Sequence, residues 1–186
     1  ITQGKLEGLS LTSVDLDGSA DYVAVADAAG LSFGDGSDDD PFTFSAWIRA
    51  DANGFPILSK GDYNGGDGEY AFLIGGTGKL ALELYDESVS SCYLGQQYQT
   101  ALTLNQWVHV AATYDATEAS SGIKLYVDGV LVPTTAYEGN AGSYVAMENL
   151  GDAFEIGRAK GPSYANGEIR DVKIFDYELS TDQVSS

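Results

Sequence analysis

Apolar residues at every second position restrict this chain more than any other feature. In Phe42-Thr43-Phe44-Ser45-Ala46-Trp47-Ile48-Arg49, the side chains of Phe42, Phe44, Ala46 and Ile48 share one face of an extended backbone. In Lys79-Leu80-Ala81-Leu82-Glu83-Leu84-Tyr85 the three leucines do the same. In Trp107-Val108-His109-Val110-Ala111-Ala112-Thr113-Tyr114, the valines and Ala112 oppose Trp107, His109 and Thr113. A period of two belongs to a strand with one face in a core. Shorter candidates lie at 22–25, 57–60, 70–75, 123–128, 154–157 and 169–175. Turn-formers separate them, and the clearest is Asp128-Gly129 between Leu125-Tyr126-Val127 and Val130-Leu131-Val132, a hairpin signal because this pair tolerates positive φ. Roughly a dozen short strands, with turns about every 8–12 residues, predict an all-β antiparallel β-sandwich or jelly roll. A helical signal occurs only at the end, where Ser180-Thr181-Asp182-Gln183 fits a capping box and predicts a short helical turn.

The 186 residues suit a single domain, 1–186, and no linker or repeat divides them. Acidic residues number 28 against 9 Lys and Arg, a net charge of -19. Such a surface repels phosphate, which argues against nucleic acid and against attachment to an anionic membrane. No apolar run approaches the roughly 18 residues of a membrane span, so insertion is not expected. Cys92 is the only cysteine, which excludes an internal disulfide and a Cys-rich zinc site. The chain opens on Ile1 without a leader pattern and reads as an excised module or processed product.

Five segments, in order, resemble a known family. Ser13-Val14-Asp15-Leu16-Asp17-Gly18-Ser19-Ala20-Asp21-Tyr22-Val23 resembles its opening strand pair, and Phe42–Ile48 and Ile57-Leu58-Ser59-Lys60-Gly61 its next two steps. Trp107-Val108-His109-Val110-Ala111-Ala112-Thr113-Tyr114-Asp115 followed by Leu125-Tyr126-Val127-Asp128-Gly129 is similar to its core. Gly167-Glu168-Ile169-Arg170-Asp171-Val172-Lys173-Ile174-Phe175 with Leu179-Ser180 resembles its close. This is the laminin-G-like branch of the concanavalin A-like lectin/glucanase superfamily, matched over residues 11–184. The resemblance implies a concanavalin A-like sandwich and, because that superfamily hosts glycan binders, adhesion modules and hydrolases, leaves function open.

It also implies a structural calcium near the meeting of the first and last strands, where Asp17, Asp21 and Asp171 are the matching carboxylates. In a second acidic cluster, Asp35-Gly36-Ser37-Asp38-Asp39-Asp40-Pro41, similarity to some laminin-G-like members implies Asp35 and Asp39 as ligands. Calcium takes hard oxygens of this kind, yet an Asp in a turn also bonds its own backbone, and the residues leave both roles open.

Aromatic rings stack on sugar faces while Asp, Asn and Gln take the hydroxyls. The loop candidates are Asp62-Tyr63-Asn64, Tyr98, Tyr137, and Tyr164 with Asn166. Tyr85, Tyr93 and Asp86 are expected on a concave sheet face. Trp47 and Trp107 read as core or sheet-face residues, and His109, the only histidine, as a packed strand residue. The Glu-x-Asp-x-x-Glu pattern of the glucanase relatives is missing, and Glu83 and Asp86 fall on opposite strand faces. The expectation is therefore a non-catalytic module binding a polysaccharide or glycoconjugate, stiffened by calcium, within a larger extracellular or cell-surface protein. The alternative is a structural or adhesion module with a protein partner.

Overall fold

The computed structural model describes residues 12–62, 66–90, 92–159 and 163–185. Among these, fifteen strands follow one another: β1 (Val14–Asp17), β2 (Val23–Val25), β3 (Phe42–Ala50), β4 (Phe55–Lys60), β5 (Tyr70–Ile74), β6 (Lys79–Asp86), β7 (Cys92–Ala101), β8 (Val108–Tyr114), β9 (Ile123–Val127), β10 (Val130–Leu131), β11 (Thr134–Ala136), β12 (Phe154–Ile156), β13 (Arg158–Ala159), β14 (Ser163–Tyr164) and β15 (Asn166–Phe175). The helical turn α1 (Thr181–Val184) closes the chain. Ser180 accepts from the Gln183 N–H at 3.3 Å while the Ser180 N–H donates to Gln183 Oε1 at 2.9 Å, the reciprocal capping box.

Two antiparallel sheets stack face to face. One has six strands in the order β1-β15-β3-β8-β9-β10, the other seven in the order β11-β7-β6-β5-β4-β12-β2. The alternation decides what lies between them. Phe42, Phe44, Ala46 and Ile48 of β3, with Val110 and Ala112 of β8, meet Phe72 and Ile74 of β5 and the three leucines of β6, and all are buried. Each such large side chain contributes roughly 1.5–3 kcal/mol by leaving water. The aromatic end of this core is close-set, with Phe42 and Phe44 ring centroids 4.5 Å apart and Phe33 and Phe42 at 4.7 Å.

The Asp128-Gly129 turn has φ of 50° and 75°, positive at both central residues as a type I′ hairpin requires. The register of β15 against β3 shifts between Arg170 and Lys173, where Asp171 takes φ of 52°. This β-bulge inserts one extra residue, so Arg170 and Lys173, three apart, point to the same outer face.

The strands differ from the sequence expectation at β7 and β11, at β13, and at Tyr164 and Asn166, expected in a loop, which lie in β14 and β15. Residues 96–99, expected as a loop bearing Tyr98, form the middle of β7. β11 pairs with it, Thr135 opposite Gln97. The signal was weak because polar Gln96 sits on the inner face, where its amide donates to the Ser120 carbonyl at 3.1 Å.

Candidate functional site on the seven-stranded sheet

The leucines of β6 point inward, so Ala81, Glu83 and Tyr85 necessarily point outward. Register then assembles a site. Tyr85 lies opposite Tyr93, Glu83 opposite Gly95, and Ala81 opposite Gln97. Past β11, the Tyr137 N–H donates to the Gly95 carbonyl at 2.9 Å, which sets Tyr137 beside Tyr93. A Cβ at Gly95 would stand 2.5 Å from the Tyr137 carbonyl oxygen, so only glycine lets the two chains approach this closely.

Three rings therefore follow one another across the outer face. Tyr85 and Tyr93 centroids are 5.9 Å apart, Tyr93 and Tyr137 centroids 5.8 Å. Exposure rises along the series, from buried Tyr85 through half-buried Tyr93 to Tyr137 at 43%. Beside them opens a pocket of about 220 Å³, lined by Leu73, Thr77, Ala81, Glu83, Gln97 and Tyr137. Glu83 is its acid. Burial pushes the Glu83 carboxyl above its usual range, while the hydrogen bond donated by the Tyr85 hydroxyl pulls it back. Rings, an amide and a carboxyl on a small-residue floor suit a ligand with alternating apolar faces and hydroxyls.

The same row continues over Ala71 and Ser59 to Glu155. Glu155 is the next carboxylate along it, three strands or about 14 Å from Glu83. Hydrolytic carboxylate pairs stand roughly 5–10 Å apart, so these two do not form one. Arg158 Nη1 donates to Glu155 at 3.2 Å, and its guanidinium lies 4.7 Å from the Tyr22 ring centroid and 5.5 Å from that of Tyr164. A second aromatic cluster thus borders the far side of the face.

Of the sequence candidates for ligand contact, Tyr85 and Tyr137 come together here. Tyr164 belongs to the far cluster. Tyr98 instead packs on the core and lines a separate cleft with Trp107. Asn166 stands on β15 opposite Asp17, on the other sheet. Asp86 corrects the expectation of an open concave position. It is 1% exposed, and it accepts from the Ser88 N–H and hydroxyl and from the Val145 N–H at 2.8 Å, tying two loops together. Asp62 sits in the loop after β4, and Tyr63 and Asn64 lie outside the described residues. Gln97 and Arg158 were not among the candidates. The alternation of β6 already pairs Glu83 with Tyr85, but the partners on β7 needed the register.

The structure sets the expected acidic residues apart. Asp17 opposes Asn166, five residues or about 16 Å along β15 from Asp171. Asp17 Oδ1 accepts from the N–H groups of Ser19, Ala20 and Asp21, and Asp35 Oδ1 from those of Ser37 and Asp38. Both close their own turns. Asp39 points inward, away from Asp35, and accepts from the Tyr114 and Tyr144 hydroxyls and the Met147 N–H at 2.7, 2.8 and 2.8 Å. Among the described residues no three His, Cys, Asp or Glu side chains gather in a metal-binding group.

Comparison with known proteins agrees with the architecture. A family model described as the concanavalin A-like lectin/glucanases superfamily, Laminin_G_3, matches residues 17–185. No curated protein matches the chain. Among solved structures, the CBM40 of Ruminococcus gnavus IT-sialidase, bound to alpha2,3 sialyllactose, is similar with a TM-score of 0.62 at 16% identity, over 95% of this chain and 97% of that one. Domain 4 of the Geobacillus stearothermophilus arabinanase AbnA, in complex with arabinotriose, has a TM-score of 0.57 at 17% identity, over 91% and 85%. A putative carbohydrate binding protein from Bacteroides ovatus has a TM-score of 0.59 at 19% identity, and there the match covers 95% of this chain but 47% of that one. At these identities the likeness is one of fold. No helix among the described residues is long and apolar enough to cross a membrane.

Proposed function

The chain belongs to the concanavalin A-like lectin/glucanase superfamily as a laminin-G-like domain, and on that premise we propose that it is a non-catalytic glycan-binding module. The outer face of the seven-stranded sheet is its binding surface. The observation that carries this reading is the Tyr85-Tyr93-Tyr137 series beside the pocket of Glu83 and Gln97. Tyr137 offers an open ring face for a pyranose, and Gln97 and Glu83 take hydroxyls. The ligand is neutral, because Glu83 would repel an acidic sugar set against it.

Two of the similar structures are bound to oligosaccharides, one acidic and one neutral, which supports saccharide binding but not the charge of the ligand. A shallow site of this size binds weakly on its own, so the module works through multivalency within a larger extracellular protein. An array of neutral glycans, followed by isothermal titration calorimetry on the hits, tests the reading. Saturable binding that falls at least tenfold in Tyr137→Ala, with an unchanged melting midpoint, supports it. An array without a neutral hit sinks it.

A further inference from the structure

A cleft larger than that of Glu83 lies on the outer face of the six-stranded sheet. It encloses about 600 Å³ between β3, β8, β15 and the C-terminal segment, and Trp47, His109, Lys173 and Phe175 line it. The C-terminal segment forms its far wall. Thr43 Oγ1 donates to the Tyr177 carbonyl and accepts from the Leu179 N–H, both at 2.9 Å, and the Ser185 hydroxyl donates to the Gly129 carbonyl at 2.6 Å.

The charge on this face is unlike the rest of the chain. Only 9 cationic side chains exist against 28 acids, yet Arg49, Lys124, Arg170 and Lys173 all stand here. The two at the margins are neutralised: Arg49 meets Glu168 at 2.6 Å and Lys124 meets Glu178 at 2.6 Å. The two in the middle have no close ion pair, although the Arg170 charge is still felt by Glu168, two residues away. Among the described residues neither Arg170 nor Lys173 has a carboxylate within salt-bridge distance. Arg170 instead lies between the two tryptophans, 4.6 Å from the Trp107 ring centroid and 5.3 Å from that of Trp47. Its buried Nε has no hydrogen-bond partner. In so acidic a chain, the bulge thus sets two cations without a close ion pair side by side. The bulge at Asp171 puts them on one face, since a regular strand would turn Lys173 inward. The acid of the cleft, Asp128, is at its other end, where its Oδ1 accepts from the His109 N–H at 3.0 Å.

We propose that this cleft is a second binding site, selective for an acidic saccharide. Lys173, which lines the cleft, takes the carboxylate or sulfate, Arg170 against the Trp47 ring adds its charge from beside the cleft, and the half-buried faces of Trp47 and His109 hold the sugar ring. The surrounding negative potential excludes long polyanions and favours a short acidic unit on an otherwise neutral chain. This site is independent of the Tyr137 face, which lies on the opposite sheet.

Both tryptophans of the chain flank Arg170, so intrinsic tryptophan fluorescence reports this site selectively. Titration of the whole chain with a short uronic-acid oligosaccharide, a sulfated one and an uncharged one at low salt is the test. A saturable fluorescence change is expected with at least one acidic probe and none with the uncharged probe. The response weakens at least tenfold in Lys173→Gln and in Arg170→Gln and is unchanged in Tyr137→Ala. Lys173 is exposed, so its variant keeps the fold, and a melting curve checks that. The carboxylate and sulfate arms identify which anion is preferred, and either supports the proposal. No response of the unaltered chain to either acidic probe overturns it, as does an equal response in a folded Lys173→Gln.

Discussion

Asp39 Oδ2 accepts a hydrogen bond from the Tyr114 hydroxyl at 2.7 Å, which binds the acidic loop before β3 to the far end of β8. The same oxygen accepts from Tyr144, and the Tyr114 hydroxyl in turn accepts from the Glu118 N–H at 2.8 Å. A carboxylate that sequence alone offered to a cation is thus a buried joint between four segments. Burial pushes the Asp39 carboxyl up, and the Met147, Tyr114 and Tyr144 donors draw it back down.

Removing the joint should cost stability without touching the binding face. Asp39→Ala leaves two hydroxyls and a backbone N–H without their acceptor, and Tyr114→Phe removes one of the three donors. At about 1–3 kcal/mol per stranded group, Asp39→Ala is expected to be the more damaging, with Tyr114→Phe lowering the midpoint by several degrees. Thermal melts of both check the order. Equal midpoints to the parent would show that the network carries no net stability.

Lys60 is fully buried and meets Glu69 at 2.5 Å, Asp27 at 2.9 Å and the Leu150 carbonyl at 2.6 Å. Lys60→Met strands the Glu69 carboxylate in the interior and should cost about 3–5 kcal/mol. The double variant Lys60→Met, Glu69→Leu should recover most of that loss, because no charge is then left buried. Denaturant melts of the three proteins measure it, and a double variant no more stable than Lys60→Met would contradict the account.

Stability should peak at mildly acid pH. Burial raises Asp39, Glu69, Glu83 and Glu87 above ordinary values of 3.8 for Asp and 4.5 for Glu. Folding favours their protonated forms, so that contribution is complete below those ordinary values and is lost as pH rises through the folded pKa. Asp17 and Asp35, held down by N–H donors of their own turns, and Glu168, held down by Ser13 and then Arg49, act oppositely. Their contribution is present above the ordinary value and disappears as pH falls through the lowered folded pKa. The net charge of -19 adds repulsion that acid relieves. The midpoint should therefore rise from about pH 8 to roughly pH 5 and fall again in stronger acid. A midpoint that falls steadily over the first interval would contradict this.

Oδ1 of Asp17 and Oδ1 of Asp35 each close their own turn, and the register separates Asp17 from Asp171. Chelation is accordingly expected to leave the melting midpoint where it was. A fall of several degrees with chelator, reversed by added calcium, would show that a cation does hold these loops.

How much of this was legible beforehand depended on how local the cause was. β3, β6 and β8 could be read because their inward residues are uninterrupted and apolar. The Asp128-Gly129 turn and the Ser180 cap are equally local. The 96–99 stretch of β7 was missed because Gln96 faces inward and Gly95 breaks the run. The hydrogen bonding of Asp39 was hidden because Tyr144, its partner, lies 105 residues away. Tyr85 and Tyr137 were named individually, but their alignment through Tyr93 depends on a pairing between β7 and β11 that no spacing announces. The bulge at Asp171 was equally hidden, since an Asp with positive φ leaves no mark in the sequence.

The most direct test of the central claim is calorimetric titration of a neutral oligosaccharide, chosen from an array, into the parent chain and into folded Tyr137→Ala and Glu83→Gln. Binding to the parent that weakens at least tenfold in Tyr137→Ala, and that also falls in Glu83→Gln, is the predicted result. Unaltered affinity in both variants would place the sugar away from the tyrosine series and contradict the account.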